Sequence, residues 1–517
     1  MGFLKNALSK LLSVEIVGLL ALCLFSVLLG GLLFVDSEYV IRNELPITEG
    51  RTPVTFDGHS VLQSSHLTMQ RVLRWTGSVI ADVANEVTWA VGRSVEKSWI
   101  QETTLLDLRI RSTLSGELRA ATRAVGGTHI GGLGHLTEDE FLVVTRNGTV
   151  LVYDVDNLTV IRRIQVQGIT ANADPGTGIR DVELISISDS TARYIATHAI
   201  TDTKPFDCTR IELIAFSVPL AGGSDDEQSI STPESLWADQ ECVSRSVAIN
   251  AILSGRLFFD VPDRLYLAVG DVAAEHPDDS LFGTLAEFKV RGNSLETPDQ
   301  MTHMEFAEEM KEKYPEHAAL ADDELVAMML DKHPFYRSWV QNDQLETIQA
   351  KIVSKGFRNP AGLAVAGGRI YVANQGPQGG DTINIVAPGK DFGWPSVSYG
   401  IEYSEYRLSE YSSSGNNSLG EFDTPTYVWL PTPAVSALGV NQTTSLDSWF
   451  NETGTGDLLV ASLKGRRLYR CRISAATGEV VYCESIYIGE RLRDVVSTRK
   501  ALILLADSGY LYHITRH

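Results

Sequence analysis

Cysteine is scarce in this sequence, and its spacing excludes the common zinc sites. Five cysteines occur among 517 residues, and none forms a CxxC pair or a Cys/His pattern of the kind that binds structural zinc. Cys23 lies inside a long apolar run, which leaves four for the rest of the chain: Cys208, Cys242, Cys471 and Cys483. An even number in an oxidising compartment favours two disulfides. The economical pairing is Cys208–Cys242 and Cys471–Cys483, the second across the turn 475–478; four free, buried thiols are the alternative.

Basic charge is also in short supply. The sequence has 44 Lys and Arg against 65 Asp and Glu, which gives a formal net charge of −21. Nucleic acid attracts a basic surface, so this balance excludes a nucleic-acid-binding function. It also disfavours binding of the folded body to anionic lipid.

Charge is absent altogether from one stretch near the N-terminus, Ile16–Val35. As a helix, this stretch is about 30 Å long, the thickness of the hydrocarbon core of a bilayer. Lys5 and Lys10 precede it, whereas Asp36 and Glu38 follow it. The positive-inside rule therefore predicts a signal anchor with a cytoplasmic N-terminus. A cleaved signal peptide is the alternative, but its apolar region is usually only about 7–15 residues long.

These features predict four regions along the chain. Residues 1–13 form a cytoplasmic tail, 14–35 a transmembrane anchor, 36–120 a stalk or lead-in region, and 121–517 the ectodomain, which is periplasmic or extracellular. Within the lead-in region, residues 67–100 have apolar positions at helical spacing, but their many β-branched residues also allow a strand.

Short strands bounded by Gly, Asn and Asp dominate the ectodomain. The clearest are Phe141–Thr145, Val150–Asp154, Leu265–Val269, Arg369–Ala373, Leu458–Ser462, Leu468–Ile473 and Leu502–Ala506. Their close spacing predicts an all-β architecture, a sandwich or a propeller. One segment differs: Met304–Lys351 is rich in Glu, Lys, Ala, Leu and Met. It predicts a helical insertion on a loop, with a helix start at Asp322 ahead of Leu325 and Met329.

The densest cluster of Gly, Pro and Asn lies between residues 356 and 395. It contains Gly376-Pro377 followed four residues later by Asp381, and it ends on Asp391-Phe-Gly-Trp-Pro395. Main-chain carbonyls and a carboxylate at this spacing can converge on a hard cation such as calcium. A tight turn capped by Asp381 is the plainer interpretation.

An ordered series of motifs resembles the soluble glucose/aldose sugar dehydrogenases that use pyrroloquinoline quinone. The series is Arg358-Asn-Pro-x-Gly-Leu-Ala, Gln375-Gly-Pro-x-x-x-Asp-x-Ile-Asn and Phe392-Gly-Trp-Pro. Further motifs follow at 429–432, 462–465 and 491–495, and others precede at 254–257 and 265–271. The resemblance extends from about Phe141 to the C-terminus, with the helical insertion as an interruption. It implies a six-bladed β-propeller.

The resemblance also implies a set of site residues. The positions that would bind the tricarboxylic quinone are Arg358, Asn359, Gln375, Thr432, Lys464, Arg491 and Arg493. Those that would hold calcium are Gly376 and Pro377, through their carbonyls, and Asp381, through its carboxylate. Arginine and lysine suit a ligand with several carboxylates, and oxygen ligands suit calcium.

The sequence departs from the family at the catalytic base. The family places an Asp-His pair before the strand that starts at Ser254, and here Ala251 and Ile252 occupy those positions. Neither side chain accepts a proton. A replacement base is available on the following loop, at Asp271, Glu275 or His276, although an exposed loop histidine often has no catalytic role. The family's early Gly-Gln-x-Gly motif also corresponds to residues 175–178, which lack the glutamine.

Two functional hypotheses follow. The first is a membrane-anchored sugar or alcohol dehydrogenase that uses pyrroloquinoline quinone and calcium, oxidises aldose-type substrates outside the cytoplasm and passes electrons to a membrane acceptor. The second is a catalytically degenerate propeller that binds a carbohydrate or a protein at the same site. A purely structural envelope protein would not explain the four basic residues at the family's cofactor positions.

Overall fold

The computed structural model describes residues 101–516, except for 106–107, 116–117, 119–129, 170–176, 203–207, 221–228, 240–242, 245–253, 272–279, 342–347, 378, 401–421 and 442–455. The predicted anchor, Ile16–Val35, and residues 67–100 lie outside these ranges. Within them, no helix combines the length and the apolar composition that crossing a bilayer requires.

The described residues form mostly β-strands, as the sequence predicts. The strands up to residue 244 are β1 (Gln101–Leu105), β2 (Leu108–Leu114), β3 (Ile130–His135), β4 (Glu140–Thr145), β5 (Thr149–Asp154), β6 (Val160–Val166), β7 (Gly178–Ile187), β8 (Thr191–Asp202), β9 (Cys208–Pro219), β10 (Ser229–Ser231), β11 (Glu234–Ala238) and β12 (Val243–Ser244). Those from 256 to 391 are β13 (Arg256–Asp260), β14 (Arg264–Val269), β15 (Thr284–Arg291), β16 (Ser294–Glu296), β17 (Lys351–Lys355), β18 (Pro360–Ala366), β19 (Arg369–Asn374), β20 (Asp381–Val386) and β21 (Lys390–Asp391). The remaining strands are β22 (Tyr427–Trp429), β23 (Val435–Val440), β24 (Leu458–Ser462), β25 (Arg467–Ile473), β26 (Val480–Tyr487), β27 (Leu492–Ser497), β28 (Leu502–Ala506) and β29 (Tyr510–Arg516).

These strands build six sheets, the blades of a β-propeller. The order of the main strands from the centre outward is β3-β4-β5-β6-β10 in blade 1, β7-β8-β9-β11 in blade 2, β13-β14-β15-β17-β21 in blade 3, β18-β19-β20-β22 in blade 4, β23-β24-β25-β26 in blade 5 and β27-β28-β29-β2-β1 in blade 6. The six-bladed fold implied by the resemblance is confirmed.

Blade 6 contains both early and late parts of the chain. Strand β2 pairs with β29 in antiparallel register, with Leu108 opposite Arg516 and Leu114 opposite Tyr510. Two described strands, Gln101–Leu105 and Leu108–Leu114, thus belong to blade 6 although they lie in the predicted lead-in region of residues 36–120.

An apolar cluster lies between each pair of neighbouring blades. The cluster between blades 1 and 2, for example, contains Val150 and Tyr194, and the one between blades 4 and 5 contains Tyr371 and Val460. Equivalent clusters join blades 2 to 3, 3 to 4, 5 to 6 and 6 to 1. Because both faces of each blade are covered, its central strands are nearly continuous apolar runs; all five residues of β24 are buried.

The helical insertion is confirmed between β16 and β17 of blade 3. It consists of α1 (His303–Lys313), α2 (Asp322–Lys332) and two short 3-10 helices, Pro315–His317 and Pro334–Trp339. A capping box between Thr302 and Glu305 starts α1. Three acidic residues begin α2, where the helix dipole favours negative charge.

Cys471 and Cys483 form a disulfide between opposed positions of β25 and β26. This predicted pairing is confirmed. The predicted pairing of Cys208 with Cys242 stays a prediction, because the structure describes neither Cys242 nor the side chain of Cys208.

Candidate functional site

The predicted site residues lie on the face of the propeller at which each innermost strand begins, here called the upper face. In an antiparallel blade the connection between the second and third strands returns to the end at which the first strand starts. Arg358 and Asn359 directly precede β18, and 375–377 directly follow β19. On blade 5, Thr432 precedes β23 and Lys464 follows β24, and on blade 6 Arg491 directly precedes β27, of which Arg493 is the second residue.

On blade 4, four of these residues form a hydrogen-bonded group. The Asn359 Nδ2 donates to the Gln375 Oε1 at 2.6 Å, and the Gln375 backbone N–H donates to the Asn359 carbonyl at 2.7 Å. The Arg358 guanidinium donates to the Gly376 carbonyl at 3.2 Å. The two sequence motifs, at 358–359 and 375–376, are thus held together side by side.

Asp381 anchors this group to blade 5. Its carboxylate is fully buried and accepts the backbone N–H of Gly376 at 3.0 Å and that of Val435 at 2.9 Å. Burial raises the pKa of Asp381 to about 6, although hydrogen bonds from Thr432, Val435, Gly376 and Ala434 oppose the shift. The carboxylate therefore fixes both the Gly-Pro loop and the loop that precedes β23.

Thr432 and Lys464 line one cavity of about 460 Å³ at the upper face. Its walls include Tyr427, Trp429 and Tyr469, whose rings pack edge to face with centroid distances of 4.8 and 5.6 Å. Lys464 is exposed and forms no ion pair with the residues that the structure describes. The cavity combines aromatic walls with the cation of Lys464 and the hydroxyl of Thr432, a lining typical of small-molecule sites.

Arg491 and Arg493 are already paired, which the sequence did not indicate. The Nε atoms of both side chains donate to the carboxylate of Asp507, at 3.1 and 2.7 Å. Asp507 follows β28, on the same end of blade 6. Two guanidinium groups share one carboxylate here, so the group formed by Arg491, Arg493 and Asp507 carries a net positive charge.

The sequence also did not predict a buried ion cluster at the centre of the propeller. Arg256 at the start of β13 donates to Asp181 of blade 2 at 3.2 Å and to Asp494 of blade 6 at 3.1 Å. It also donates to the carbonyls of Ser436 and Arg493, at 2.6 and 3.4 Å. Arg256 and Asp494 lie within motifs of the resemblance, but residues this far apart in sequence carry no local signal of contact.

The cluster faces a central cavity of about 210 Å³ that all six innermost strands line. Glu183 also lines this cavity. Burial raises the pKa of Glu183 to about 8, and the charges of Asp181 and Asp494 add to the shift. The neutral acid is thus favoured at Glu183 well into the neutral pH range.

Two further residues lie close to Arg358. Its guanidinium is 5.6 Å from the ring centre of Trp394, whose indole N–H is buried without a hydrogen-bond acceptor among the described residues. The backbone N–H of Asp271 donates to the Arg358 carbonyl at 2.9 Å. Of the three predicted replacement bases, Asp271 is thus beside the candidate site. Glu275 and His276, and the catalytic positions Ala251 and Ile252, lie outside the described residues.

The chemistry of the donors can be compared with the two groups that the resemblance implies. Arg358, Lys464 and the Arg491–Arg493 pair supply positive charge at one face, which fits an anionic ligand. For calcium, the Gly376 and Pro377 carbonyls and one carboxylate are suitable oxygens, but the Gly376 carbonyl accepts from Arg358 and both Asp381 oxygens accept backbone N–H groups. No group of three or more His, Cys, Asp or Glu that could hold a metal occurs among the described residues. Calcium ligation by Asp381 stays a prediction.

Comparisons with known proteins agree with the sequence motifs. Residues 338–513 match the family model of glucose/sorbosone dehydrogenases. The aldose sugar dehydrogenase YliI of Escherichia coli is 30% identical over 174 residues, which cover 32% of this chain and 41% of that protein. Quinoprotein glucose dehydrogenase B of Acinetobacter calcoaceticus is 34% identical over 79 residues, 15% of this chain and 16% of that one. The chain thus spans less than half the length of the curated relatives it matches.

Solved structures extend the likeness in fold. The soluble aldose sugar dehydrogenase from Escherichia coli has a TM-score of 0.51 at 19% identity and covers 79% of this chain and 100% of its own. A glucose dehydrogenase crystal structure has a TM-score of 0.51 at 21% identity, over 76% of this chain and 98% of its own. At such identities the likeness shows the fold alone. The chain is therefore a six-bladed β-propeller whose residues 338–513 match the glucose/sorbosone dehydrogenase family.

Proposed function

We propose that this protein is a sugar dehydrogenase of the quinone-dependent type, which oxidises a CH–OH group of an aldose-type substrate with pyrroloquinoline quinone as cofactor. The single observation that carries the proposal is the network on blades 4 and 5. It joins Arg358, Asn359, Gln375, Gly376, Asp381 and Thr432 through hydrogen bonds at one face. These are the same positions at which the motifs resemble the family's cofactor site.

The cofactor, when bound, supplies the two-electron acceptor. The residues of this chain bind and orient it: Arg358 and Lys464 neutralise carboxylates, and Asn359, Gln375 and Thr432 offer neutral hydrogen bonds. Arg491 and Arg493 add positive charge, which Asp507 partly offsets. A calcium ion would be held by the carbonyls of Gly376 and Pro377 together with Asp381, and its other ligands would come from water or the bound molecule.

Oxidation of an alcohol also requires that its hydroxyl proton be accepted by a base. Ile252 occupies the family's histidine position and cannot serve. We assign the role to Asp271, because its backbone N–H donates to the Arg358 carbonyl and, of the three predicted replacement bases, it alone lies among the described residues. The proton would pass from the substrate hydroxyl to a carboxylate oxygen of Asp271.

We further propose that the propeller faces the outside of a membrane to which Ile16–Val35 anchors the chain. The disulfide between Cys471 and Cys483 supports an oxidising compartment, since such bonds are rare in the cytosol. An anchored enzyme would deliver its electrons to an acceptor held in or near the same membrane.

The second candidate function is a propeller that binds a carbohydrate or a protein without turnover. The resemblance aligns Ile252 with the family's histidine, and this favours the second candidate, because loss of a general base lowers the rate about 10²- to 10⁴-fold.

One experiment separates the two. The full-length protein in detergent is titrated with pyrroloquinoline quinone, with calcium and with EDTA, and dye-linked oxidation of aldoses is then measured on the wild type and on Asp271→Asn. Binding with turnover that Asp271→Asn lowers at least 100-fold supports the enzyme. Binding without turnover supports the degenerate propeller. No binding in the presence of calcium rejects the cofactor.

A further inference from the structure

The helical insertion contributes none of the site residues described above. Both α1 and α2 precede the residues that match the family, 338–513. The insertion packs on blade 3 through Phe306, Met310 and Trp339. These side chains belong to the same apolar cluster as Ala286 of β15. It also makes polar contact with the turn between β20 and β21.

That contact is made by Lys313, the final residue of α1. Its ammonium donates to the Tyr336 hydroxyl at 3.0 Å and to the Pro388 carbonyl at 3.3 Å. It also lies 5.6 Å from the ring centre of Tyr336 and 5.7 Å from that of Tyr314. Lys313 is exposed as a residue, and partial desolvation of its ammonium lowers the pKa of the amine. The ammonium is thus tied by hydrogen bonds to the Tyr336 hydroxyl and to the neighbouring turn.

Gly389 allows this close approach. A Cβ at this position would lie 2.0 Å from the Lys313 Nζ and 2.8 Å from the Tyr336 hydroxyl, and the backbone φ of +77° favours glycine. The Gly389 N–H donates to the Val353 carbonyl at 2.8 Å. The turn is therefore fixed on one side by the insertion and on the other by β17.

From this turn the chain runs along β17 to the candidate site. Strand β21 pairs with β17, and the N–H groups of Phe392 and Trp394 donate to the carbonyls of Lys355 and Gly356, at 3.0 and 3.2 Å. The Asp391 carboxylate accepts the Gly393 N–H at 2.9 Å. These contacts give residues 388–394 a defined path, which ends at Trp394.

Trp394 lies against Arg358, a residue of the proposed cofactor site. The guanidinium is 5.6 Å from the ring centre, a distance suited to a cation–π contact. Both residues line the same small cavity. Because a guanidinium needs a defined plane to bind a carboxylate with two hydrogen bonds, the position of the indole bears on ligand binding.

We propose that the helical insertion is a positioning element for the site: Lys313, bound to the Pro388 carbonyl and the Tyr336 hydroxyl, holds segment 388–394 so that Trp394 keeps Arg358 in its binding orientation. Lys313 is a positioning residue and touches no ligand itself. Its effect on ligand binding rests on the proposed function, whereas its effect on segment 388–394 does not.

The test uses Lys313→Met, which removes the ammonium and keeps the length of the stem. Lys311→Met is the matched control, since Lys311 lies on the same helix but pairs with Asp322 inside the insertion. Amide hydrogen exchange is measured at Phe392 and Trp394, and affinity for pyrroloquinoline quinone is measured on the same full-length proteins. Because hydrogen bonds of this kind each contribute modestly to stability, Lys313→Met should speed exchange at both amides about threefold to tenfold and weaken cofactor binding by a similar factor. Lys311→Met should change neither quantity.

Three results would overturn the proposal. Unchanged exchange at Phe392 and Trp394 in Lys313→Met would show that the ammonium does not hold the segment. An exchange rate that rises equally across all six blades would show that Lys313 contributes to global stability and does not hold segment 388–394 in particular. Faster local exchange with unaltered cofactor affinity, in a protein that binds the cofactor, would remove the link to Arg358. A wild type that binds no cofactor would instead reject the proposed function, and the exchange data would still test the contact.

Discussion

Arg256 and Asp494 are 238 residues apart in the sequence and form an ion pair of 3.1 Å at the centre of the propeller. The same guanidinium binds Asp181, so a single side chain links the innermost strands of blades 2, 3 and 6. It also reaches the carbonyls of Ser436 and Arg493. One arginine thus links blades 2, 3, 5 and 6 at the central cavity.

Replacing Arg256 with Met should therefore destabilise the protein strongly. Removing one partner of a buried ion cluster leaves uncompensated charge, which typically costs about 3–5 kcal/mol. Urea denaturation measures the loss. Arg264→Met is the control, since Arg264 is half exposed and its ion pair with Asp260 should contribute at most about 1 kcal/mol. Equal losses in the two variants would contradict a special role for the central cluster.

Glu183 should make stability depend on pH. Its pKa rises from an ordinary 4.5 to about 8 on folding, so the folded state favours the neutral acid. The stabilisation is complete below about pH 4.5 and is lost as the pH rises to about 8. In Glu183→Gln the amide stays neutral, and its oxygen can still accept the Phe259 N–H. The variant should be more stable than the wild type by about 2–4 kcal/mol at pH 9 and similar to it at pH 4.

Denaturation curves at several pH values test this expectation. The exposed Glu316→Gln on the insertion is a suitable control, and its stability should follow the wild type at every pH. A constant difference between Glu183→Gln and the wild type from pH 4 to 9 would argue against a buried neutral acid.

Asp381→Ala should separate the anchoring role of this carboxylate from its predicted role in calcium binding. The substitution leaves the N–H groups of Gly376 and Val435 without their acceptor, which should cost about 2–4 kcal/mol. Calcium should raise the melting temperature of the wild type and not that of the variant. Asp299→Ala, at an exposed ion pair with Lys289, should retain the calcium response. A wild-type melting temperature that calcium leaves unchanged would reject the ion site while the anchoring role stands.

Lys464→Met should weaken binding of pyrroloquinoline quinone about 10- to 100-fold, because a hydrogen bond between charged groups is lost. Arg491→Met should have a smaller effect, since Asp507 already offsets part of that charge. Calorimetric or fluorescence titration gives both affinities. Lys332→Met at the end of α2 serves as the control and should bind like the wild type. If Arg491→Met proved the more damaging variant, the cavity lined by Lys464 would not be the main binding site.

Local patterns in the sequence account for what could be predicted of the fold. The strand expected at Val150–Asp154 follows a turn at Asn147-Gly148, and the structure has β5 there with Gly148 at a φ of +81°. Asp322 was expected to start a helix, and α2 begins at that residue. In both cases the signal lies within a few neighbouring residues.

Contacts between distant segments could not be predicted in this way. The pairing of Arg491 and Arg493 with Asp507 depends on two loops meeting at one end of blade 6. The motif resemblance indicated Asp381 as a calcium ligand, whereas its hydrogen bonds to two loops became visible only in the folded chain. The membrane anchor, the Cys208–Cys242 disulfide and the alignment of Ile252 with the family's histidine stay predictions.

The pairing of β2 with β29 has a consequence for biogenesis. Strand β2 is made early, but its sheet partner in blade 6 emerges only after blades 1 to 5 have been synthesised. Until then the edge of β2 that faces β29 has unpaired backbone groups, although its other edge can pair with β1, and such an open edge invites aggregation. A ring closed in this manner is completed only after translation has reached β29, so the open edge of β2 needs protection until the rest of the propeller has been made.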